Sequence, residues 1–198
     1  MSLAHRLRAR LAEQDQSLPP QMPGDTGHGT DEAAMVPAAV LVAITDRPAP
    51  GLLLTQRTAH LRKHAGQVAF PGGRIDPEDD GPVAAALREA HEEIGLAHEH
   101  VEVIGTTDRY RTVTGFVVTP GIAIIAPDLR LTPQAEEVAA ASEARLSHLL
   151  EPANRALREV FYEGRARSYY EIMWEDFRIW GATAAMIVNL AARIGPRP

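Results

Sequence analysis

Residues Leu52 to Leu96 read LLLTQRTAHLRKHAGQVAFPGGRIDPEDDGPVAAALREAHEEIGL, and this stretch decides how the chain is read. It holds a strand-like apolar run, a basic polar loop, a Pro-Gly-Gly turn, an acidic loop and one helix. Asp79 or Asp80 offers an N-cap, Pro82 is tolerated in the first turn where its missing N–H breaks no bond, and Gly95 is the expected stop. Setting Val83 at zero and advancing about 100° per residue brings Leu87, Ala90 and Ile94 within roughly 40° of it. Glu89, Glu92 and Glu93 then fall at roughly 240°, 180° and 280°, on the side away from the apolar stripe. Residues three and four apart are neighbours on a helix, so three like charges here repel one another unless a cation sits among them. Mg²⁺ and Mn²⁺ take oxygen ligands of this kind and keep waters and phosphate oxygens besides. An isolated acidic helix face is ordinarily solvated surface. The rest of the segment argues otherwise.

Gly73, Arg88, Glu89, Glu92, Glu93, Gly95 and Leu96 resemble the Nudix box, Gly-x5-Glu-x7-Arg-Glu-U-x-Glu-Glu-x-Gly-U, with U bulky and apolar. One extra residue lies between Gly73 and Arg88. Asp79 or Asp80, depending on the end counted from, stands where the pattern has its first Glu, and Ala90 is small for its U position. The upstream part is similar to a narrower pattern, that of the coenzyme A pyrophosphatases within this family: Leu-Leu-Thr-x-Arg-Ser-x3-Arg-x3-Gly-x-Val-x-Phe-Pro-Gly-Gly. Leu53, Leu54, Thr55, Arg57, Arg62, Gly66, Val68, Phe70, Pro71, Gly72 and Gly73 fit it, and Thr58 replaces Ser while keeping the hydroxyl. Two linked motifs are far more specific than a lone glycine loop.

The resemblance implies a fold, a reaction and a set of roles. The fold is a Nudix-like α/β/α sandwich, a mixed β-sheet between helices. The reaction is metal-dependent hydrolysis of the diphosphate of coenzyme A, or of acyl or oxidised forms, to adenosine 3′,5′-bisphosphate and 4′-phosphopantetheine. The alternatives are a broader Nudix hydrolase acting on NADH, ADP-ribose or nucleotides, or a ligand-sensing domain without catalysis. Glu89, Glu92 and Glu93 are the implied ligands of Mg²⁺ or Mn²⁺, with Arg88 orienting a neighbouring carboxylate. Glu137, beside Glu136, is a candidate base, although a box glutamate could equally serve. Arg57, Arg62, Gly66, Phe70, Gly72 and Gly73 are the implied substrate-binding positions. A planar guanidinium binds phosphate bidentately, which suits Arg57 and Arg62. Lys63, His64 and Arg74 are weaker candidates. The run IWGATA near the C-terminus is also similar to the end of the coenzyme A subfamily.

The chain as a whole is compatible with this reading. Its 198 residues, 45% of them hydrophobic, suit one domain with a substantial core. A net charge of −6 argues against a broad nucleic-acid surface. Without cysteine there are no disulfides, thiolate metal sites or cysteine nucleophiles. No apolar run reaches the length of a membrane span. The start of the chain lacks the apolar core of a secretory signal, so a cytoplasmic protein, monomeric or homodimeric, is the expectation.

Taken in order, residues 3–14 read as a helix with Leu3, Leu7 and Leu11 on one side. Residues 18–34 are a loop rich in Pro and Gly, so that 1–34 precedes the motif core. Val36–Thr45 reads as a central strand, hairpinned with Leu52–Arg57 across the turn DRPAPG. Gln67–Phe70 is a short strand, the coenzyme A-type motif spans 53–73 and the Nudix box 73–96. Val101–Thr106 and Gly115–Ile125 are strands, with Pro120 implying an edge or a bend in the second. Glu136–Ala141 reads as a short strand, Ala144–Leu150 as a short helix, and Asn154–Glu159 as a connector. Val160–Tyr162 and Ser168–Trp174 read as paired strands, and a final helix covers 181–194.

Overall fold

The computed structural model describes residues 1–13, 20–22, 24–25, 32–60, 64–162 and 164–195. In chain order the elements are α1 (Leu3–Ala12), β1 (Val36–Thr45), β2 (Gly51–Arg57), β3 (Val68–Ala69), β4 (Gly72–Arg74) and α2 (Pro82–Ile94). There follow β5 (Val101–Thr106), β6 (Tyr110–Arg111), β7 (Phe116–Ile125), β8 (Val138–Arg145) and α3 (Leu146–Leu150), then β9 (Arg155–Tyr162), β10 (Arg165–Trp174), β11 (Phe177–Trp180) and α4 (Ala182–Ile194). The greater part of the 18–34 loop reading, and the Arg62 and Lys63 readings, lie outside the described residues.

The main sheet runs β3-β2-β1-β7-β5, with β4 on β1, β6 on β7 and β8 on β2. It is mixed: β1 and β7 are parallel from Val36↔Phe116 to Thr45↔Ile125, and the other pairs are antiparallel. The apolar run of β1 does not alternate with polar residues because both faces of the sheet are covered. With side chains pointing alternately to opposite faces, Ala39, Leu41 and Ala43 join Ala85, Ala86, Ala90 and Ile94 of α2 in one core. Ala38, Val42 and Ile44 join Leu3 and Leu7 of α1, Leu149 of α3 and Ile187 and Leu190 of α4 in the other. The architecture is the expected α/β/α sandwich. A second, three-stranded sheet, β11-β10-β9, adds an arm that the sequence reading foresaw only in part.

The hairpin of β1 and β2 exists only at its closed end, Ile44↔Leu52. Beyond it β2 turns away to β8 and β3, and Ala38–Val40 take β4 instead. This divergence lays the Pro-Gly-Gly turn across the middle of β1, with the Leu41 N–H donating to the Pro71 carbonyl at 2.8 Å.

Four expectations need correction. Pro120 does not mark an edge or a bend: β7 is interior, with β1 on one side and β5 and β6 on the other. Its carbonyl accepts from Thr107 N–H at 3.1 Å. The N and C=O of one strand residue point to the same side, so the missing donor faces the break between β5 and β6, where no ladder bond is lost. Glu136 and Glu137 lie in a turn before β8, not in a strand; the strand starts at Val138, the first buried residue of the run. Asn154–Glu159 is not a connector, since Arg155–Glu159 belong to β9 and pair with Ile172–Ser168 of β10. The terminal helix begins one residue later than expected, at Ala182, because Gly181 is its N-cap directly after β11 ends at Trp180.

Candidate active site

The site is built where α2 crosses β1 beneath the Pro-Gly-Gly turn. The N-cap of α2 is Gly81 (φ 88°), not Asp79 or Asp80, and no side chain caps the helix; Pro82 opens it as expected. Gly95 (φ 68°) closes it in the left-handed conformation, its N–H shared between the Ala90 and His91 carbonyls. Asp79 has another partner. Its two carboxylate oxygens accept Arg88 Nε and Nη2 at 3.0 and 2.9 Å, and Oδ2 also takes the Asp76 N–H at 2.8 Å. These bonds hold its carboxyl below the ordinary value, the Arg88 bond being the larger cause and the Asp76 N–H the next. Arg88 also donates through Nη1 to Glu89 and Glu92, each at 3.1 Å, and through Nη2 to the Arg74 carbonyl at 3.1 Å. It is the tie between the acidic loop, β4 and the helix, and its guanidinium is held still more firmly protonated than usual, mainly by Asp79. Arg88 thus lies against the Glu89 and Glu92 carboxylates.

The buried face of α2 is rotated from the expected one. Ala85, Ala86, Ala90, Glu93 and Ile94 are buried, while Val83 and Leu87 are only half-buried. The small side chains let the helix approach the sheet closely, and that brings Glu93 inside; the expectation that all three glutamates lie away from the packed face fails for this one. Glu93 is 5% exposed. Burial raises its carboxyl from the ordinary 4.5 to about 7, against the Gly72 N–H that bonds Oε2 at 3.3 Å and lowers it. Glu89 is half-buried and its carboxyl is likewise raised, by desolvation first, with the neighbouring Glu92 and Glu137 adding to the shift and Arg88 opposing it. Glu92 stands at the exposed rim on Arg88. Glu137 is exposed in its turn, and its charge adds a smaller upward push to both Glu89 and Glu93.

Close approach requires the first glycine of the turn, and at the second a side chain would displace the Glu89 carboxylate. A Cβ on Gly72 (φ 154°) would lie 2.3 Å from the Ala39 carbonyl oxygen, and one on Gly73 would lie 2.4 Å from Glu89 Oε1. The turn therefore rests directly on the Glu89 and Glu93 carboxylates.

A cavity of about 420 Å³ opens on this corner. Of the expected substrate-binding residues, Arg57, Phe70, Gly72 and Gly73 line it. Arg57 Nη1 is 3.9 Å from Glu93 Oε1, and its buried Nε has no hydrogen-bond partner among the described residues. Gly66 (φ 70°) lines instead a neighbouring cavity of about 340 Å³, which shares Gln67 and Trp180 with the first. His64 lines the main cavity with its Nδ1 2.8 Å from Gln67 Oε1. The sequence reading did not place Phe116, the turn Thr112–Thr114 or the start of α4 (Gly181–Thr183) on this cavity, yet all line it. The IWGATA run was the one signal for the last of these. Arg74, a weaker candidate, sits at the rim over the Phe116 ring, 5.6 Å from its centroid.

Among the described residues no three carboxylate or imidazole groups are drawn close enough together to hold an ion as they stand. The donor chemistry nonetheless fits a divalent cation at Glu89 and Glu93. Both are desolvated carboxylates with raised proton affinity, and a bound cation relieves that strain by favouring the ionised form. No described helix is long and apolar enough to cross a membrane.

The NUDIX domain model matches residues 35–163. The chain is 46% identical over 161 residues to an uncharacterised Nudix hydrolase, NudL, of Escherichia coli, covering 81% of this chain and 84% of that one. It is 44% identical over 183 residues to the NudL of Citrobacter koseri, covering 92% of each. Among solved structures, a C. elegans Ap4A hydrolase binary complex superposes with a TM-score of 0.48 at 22% identity, covering 56% of this chain and 80% of that one.

Proposed function

This chain belongs to the Nudix hydrolase family, and we propose that it is a metal-dependent coenzyme A diphosphatase. Hydrolysis of a diphosphate-containing small molecule follows from the family. The narrower substrate is supported by the junction of two motifs in one cavity: Arg57, Phe70 and Gly72–Gly73 from the upstream pattern line the space into which Glu93 of the box projects.

Glu89 and Glu93 would hold the cation, with Glu92 a third carboxylate at the rim. When bound, Mg²⁺ or Mn²⁺ supplies charge that polarises phosphoryl oxygens and lowers the pKa of a coordinated water. The chain's own residues do the rest. Arg88 fixes Glu89 and Glu92 from one side, and Gly72 N–H fixes Glu93 from the other. Arg57 lines the cavity beside Glu93, 3.9 Å from its carboxylate, where its guanidinium would meet a diphosphate oxygen. Glu137, in its exposed turn before β8, takes the proton of the attacking water. The water oxygen bonds to one phosphorus as the bridging P–O bond breaks. The products are 4′-phosphopantetheine and adenosine 3′,5′-bisphosphate.

A product-resolved assay with coenzyme A, ADP-ribose, NADH and nucleoside triphosphates, with and without Mg²⁺ or Mn²⁺, tests this. Metal-dependent cleavage of coenzyme A ahead of the others is expected. Brisk cleavage of another substrate with coenzyme A untouched would overturn the assignment.

A further inference from the structure

A second element reaches the cavity wall: Trp180, Gly181, Ala182 and Thr183, at the start of α4, line it. This helix runs 13 residues, its N-cap is Gly181 (φ 60°), and no side chain caps it. The N–H groups of a first helical turn have no intrahelical acceptor. Here Gly181 N–H donates to the Tyr170 carbonyl, and the Ala185 N–H closes the first turn onto Gly181. The N–H groups of Ala182, Thr183 and Ala184 have no acceptor among the described residues. An independent feature lies beside them. Thr183 is 7% exposed, lines the cavity, and its hydroxyl has no hydrogen-bond partner among the described residues. With no protein partner and the rest of the residue packed away, the hydroxyl is left open to the cavity. Together with free N–H donors at the positive end of a helix, it makes a donor set suited to an anion.

The charges facing this end are compatible with that. Besides Glu93, the one acidic side chain lining the cavity among the described residues is Asp25. Both of its oxygens are engaged, by the Tyr110 hydroxyl and by the Val113 N–H at 3.2 Å. Arg57, Arg74 and His64 line the same space.

We propose that the first turn of α4, with the Thr183 hydroxyl, is a phosphate subsite that takes a phosphomonoester of the substrate distinct from the diphosphate that is cut. Under the substrate reading above, on which its identity rests, this group is the 3′-phosphate on the ribose. One cavity then reads two phosphate positions: the scissile diphosphate beside Glu93 and Arg57, and a terminal monoester at α4. The enzyme thereby distinguishes coenzyme A from dinucleotides that lack the third phosphate.

Calorimetric titration of the metal-free protein with adenosine 3′,5′-bisphosphate and with 5′-AMP tests the subsite without turnover. Wild type is expected to bind the bisphosphate about tenfold more tightly, the scale of one charge-assisted hydrogen-bond set. Thr183→Val keeps the shape and removes the hydroxyl. Ala182→Asp puts a carboxylate in the first turn, where it favours the helix but repels an anion, with Ala182→Asn as the neutral control. Thr183→Val and Ala182→Asp are expected to erase most of the preference while leaving 5′-AMP binding and melting temperature unchanged or, for Asp, the latter raised; Ala182→Asn retains it. Equal binding of the two nucleotides by wild type, or a preference that survives both variants, would overturn the proposal. The two readings fail separately. Coenzyme A hydrolysed with no such preference leaves the substrate standing and removes the subsite. The preference without coenzyme A hydrolysis keeps the subsite and removes the substrate.

Discussion

Glu93→Gln is the perturbation with the sharpest expected signature, because it separates the stability role of this side chain from its chemical one. The Glu93 carboxyl is almost entirely enclosed, and burial lifts it from 4.5 to about 7. The folded state therefore binds a proton that the unfolded state has already released between those values. A group with a raised folded pKa contributes its full stability below the unfolded pKa and loses it as pH rises through the folded one. At about 1.4 kcal/mol per pKa unit, a shift of this size corresponds to roughly 3 kcal/mol that metal-free wild type forfeits between pH 4.5 and pH 8. Glutamine carries no charge at either pH and its carbonyl oxygen can still accept the Gly72 N–H. Urea unfolding in the presence of a chelator is the assay, at pH 4.5 and pH 8. The variant is expected to match wild type within about 1 kcal/mol at the lower pH and to exceed it by roughly 2–3 kcal/mol at the higher. Adding Mg²⁺ or Mn²⁺ at pH 8 is expected to raise wild type and to close the gap. Turnover of the variant falls by orders of magnitude under the same metal. A difference that does not change with pH, or a variant less stable than wild type at pH 8, would refute the reasoning from burial.

Other residues give further tests. Gly73→Ala places a methyl against the Glu89 carboxylate; metal affinity measured by manganese titration is expected to drop at least about tenfold, one mispositioned ligand being enough. Arg88→Lys cannot reproduce the paired bond to Asp79 while also reaching Glu89 and the Arg74 carbonyl, so stability falls by about 1–3 kcal/mol in denaturant titration and lysine does not rescue turnover. Arg57→Ala is expected to raise KM for the diphosphate substrate with a smaller effect on kcat; the reverse split would assign the guanidinium to the transition state instead. Asn189→Leu removes the amide that holds the Met22 backbone through bonds of 2.8 Å in both directions, and is expected to cost about 1–3 kcal/mol with metal affinity unchanged.

The sequence was most informative where local chemistry and tertiary context agree. Val36–Thr45 is a β-branched run too apolar for any place but a sheet covered on both faces, and it is the central strand at the stated bounds. Gly95 ends α2 because a left-handed residue is needed there, whatever packs nearby. The failures lie where a remote partner decides. Asp79 has the chemistry of an N-cap, but Arg88, nine residues on, claims both its oxygens. The buried side of α2 follows from how closely alanines let the helix approach β1, which hydrophobic weight at Val83 and Leu87 does not encode. Pro120 reads as an edge signal, and it is tolerated inside because the neighbouring strand is broken opposite it. The glutamates and the Pro-Gly-Gly turn were legible through the family resemblance. The far wall of the cavity, made by Thr112–Thr114 and the first turn of α4, was not, since it depends on how distant segments fold back over β1 and β7.

The central claim is that Glu89 and Glu93 hold a divalent cation at the mouth of the cavity that binds the diphosphate. Anomalous diffraction from a crystal soaked in manganese measures this most directly. Manganese is expected within coordination distance of the Glu89 and Glu93 carboxylates, and absent in Glu93→Gln. A wild-type crystal that splits the diphosphate while showing no manganese at these two side chains would contradict the account.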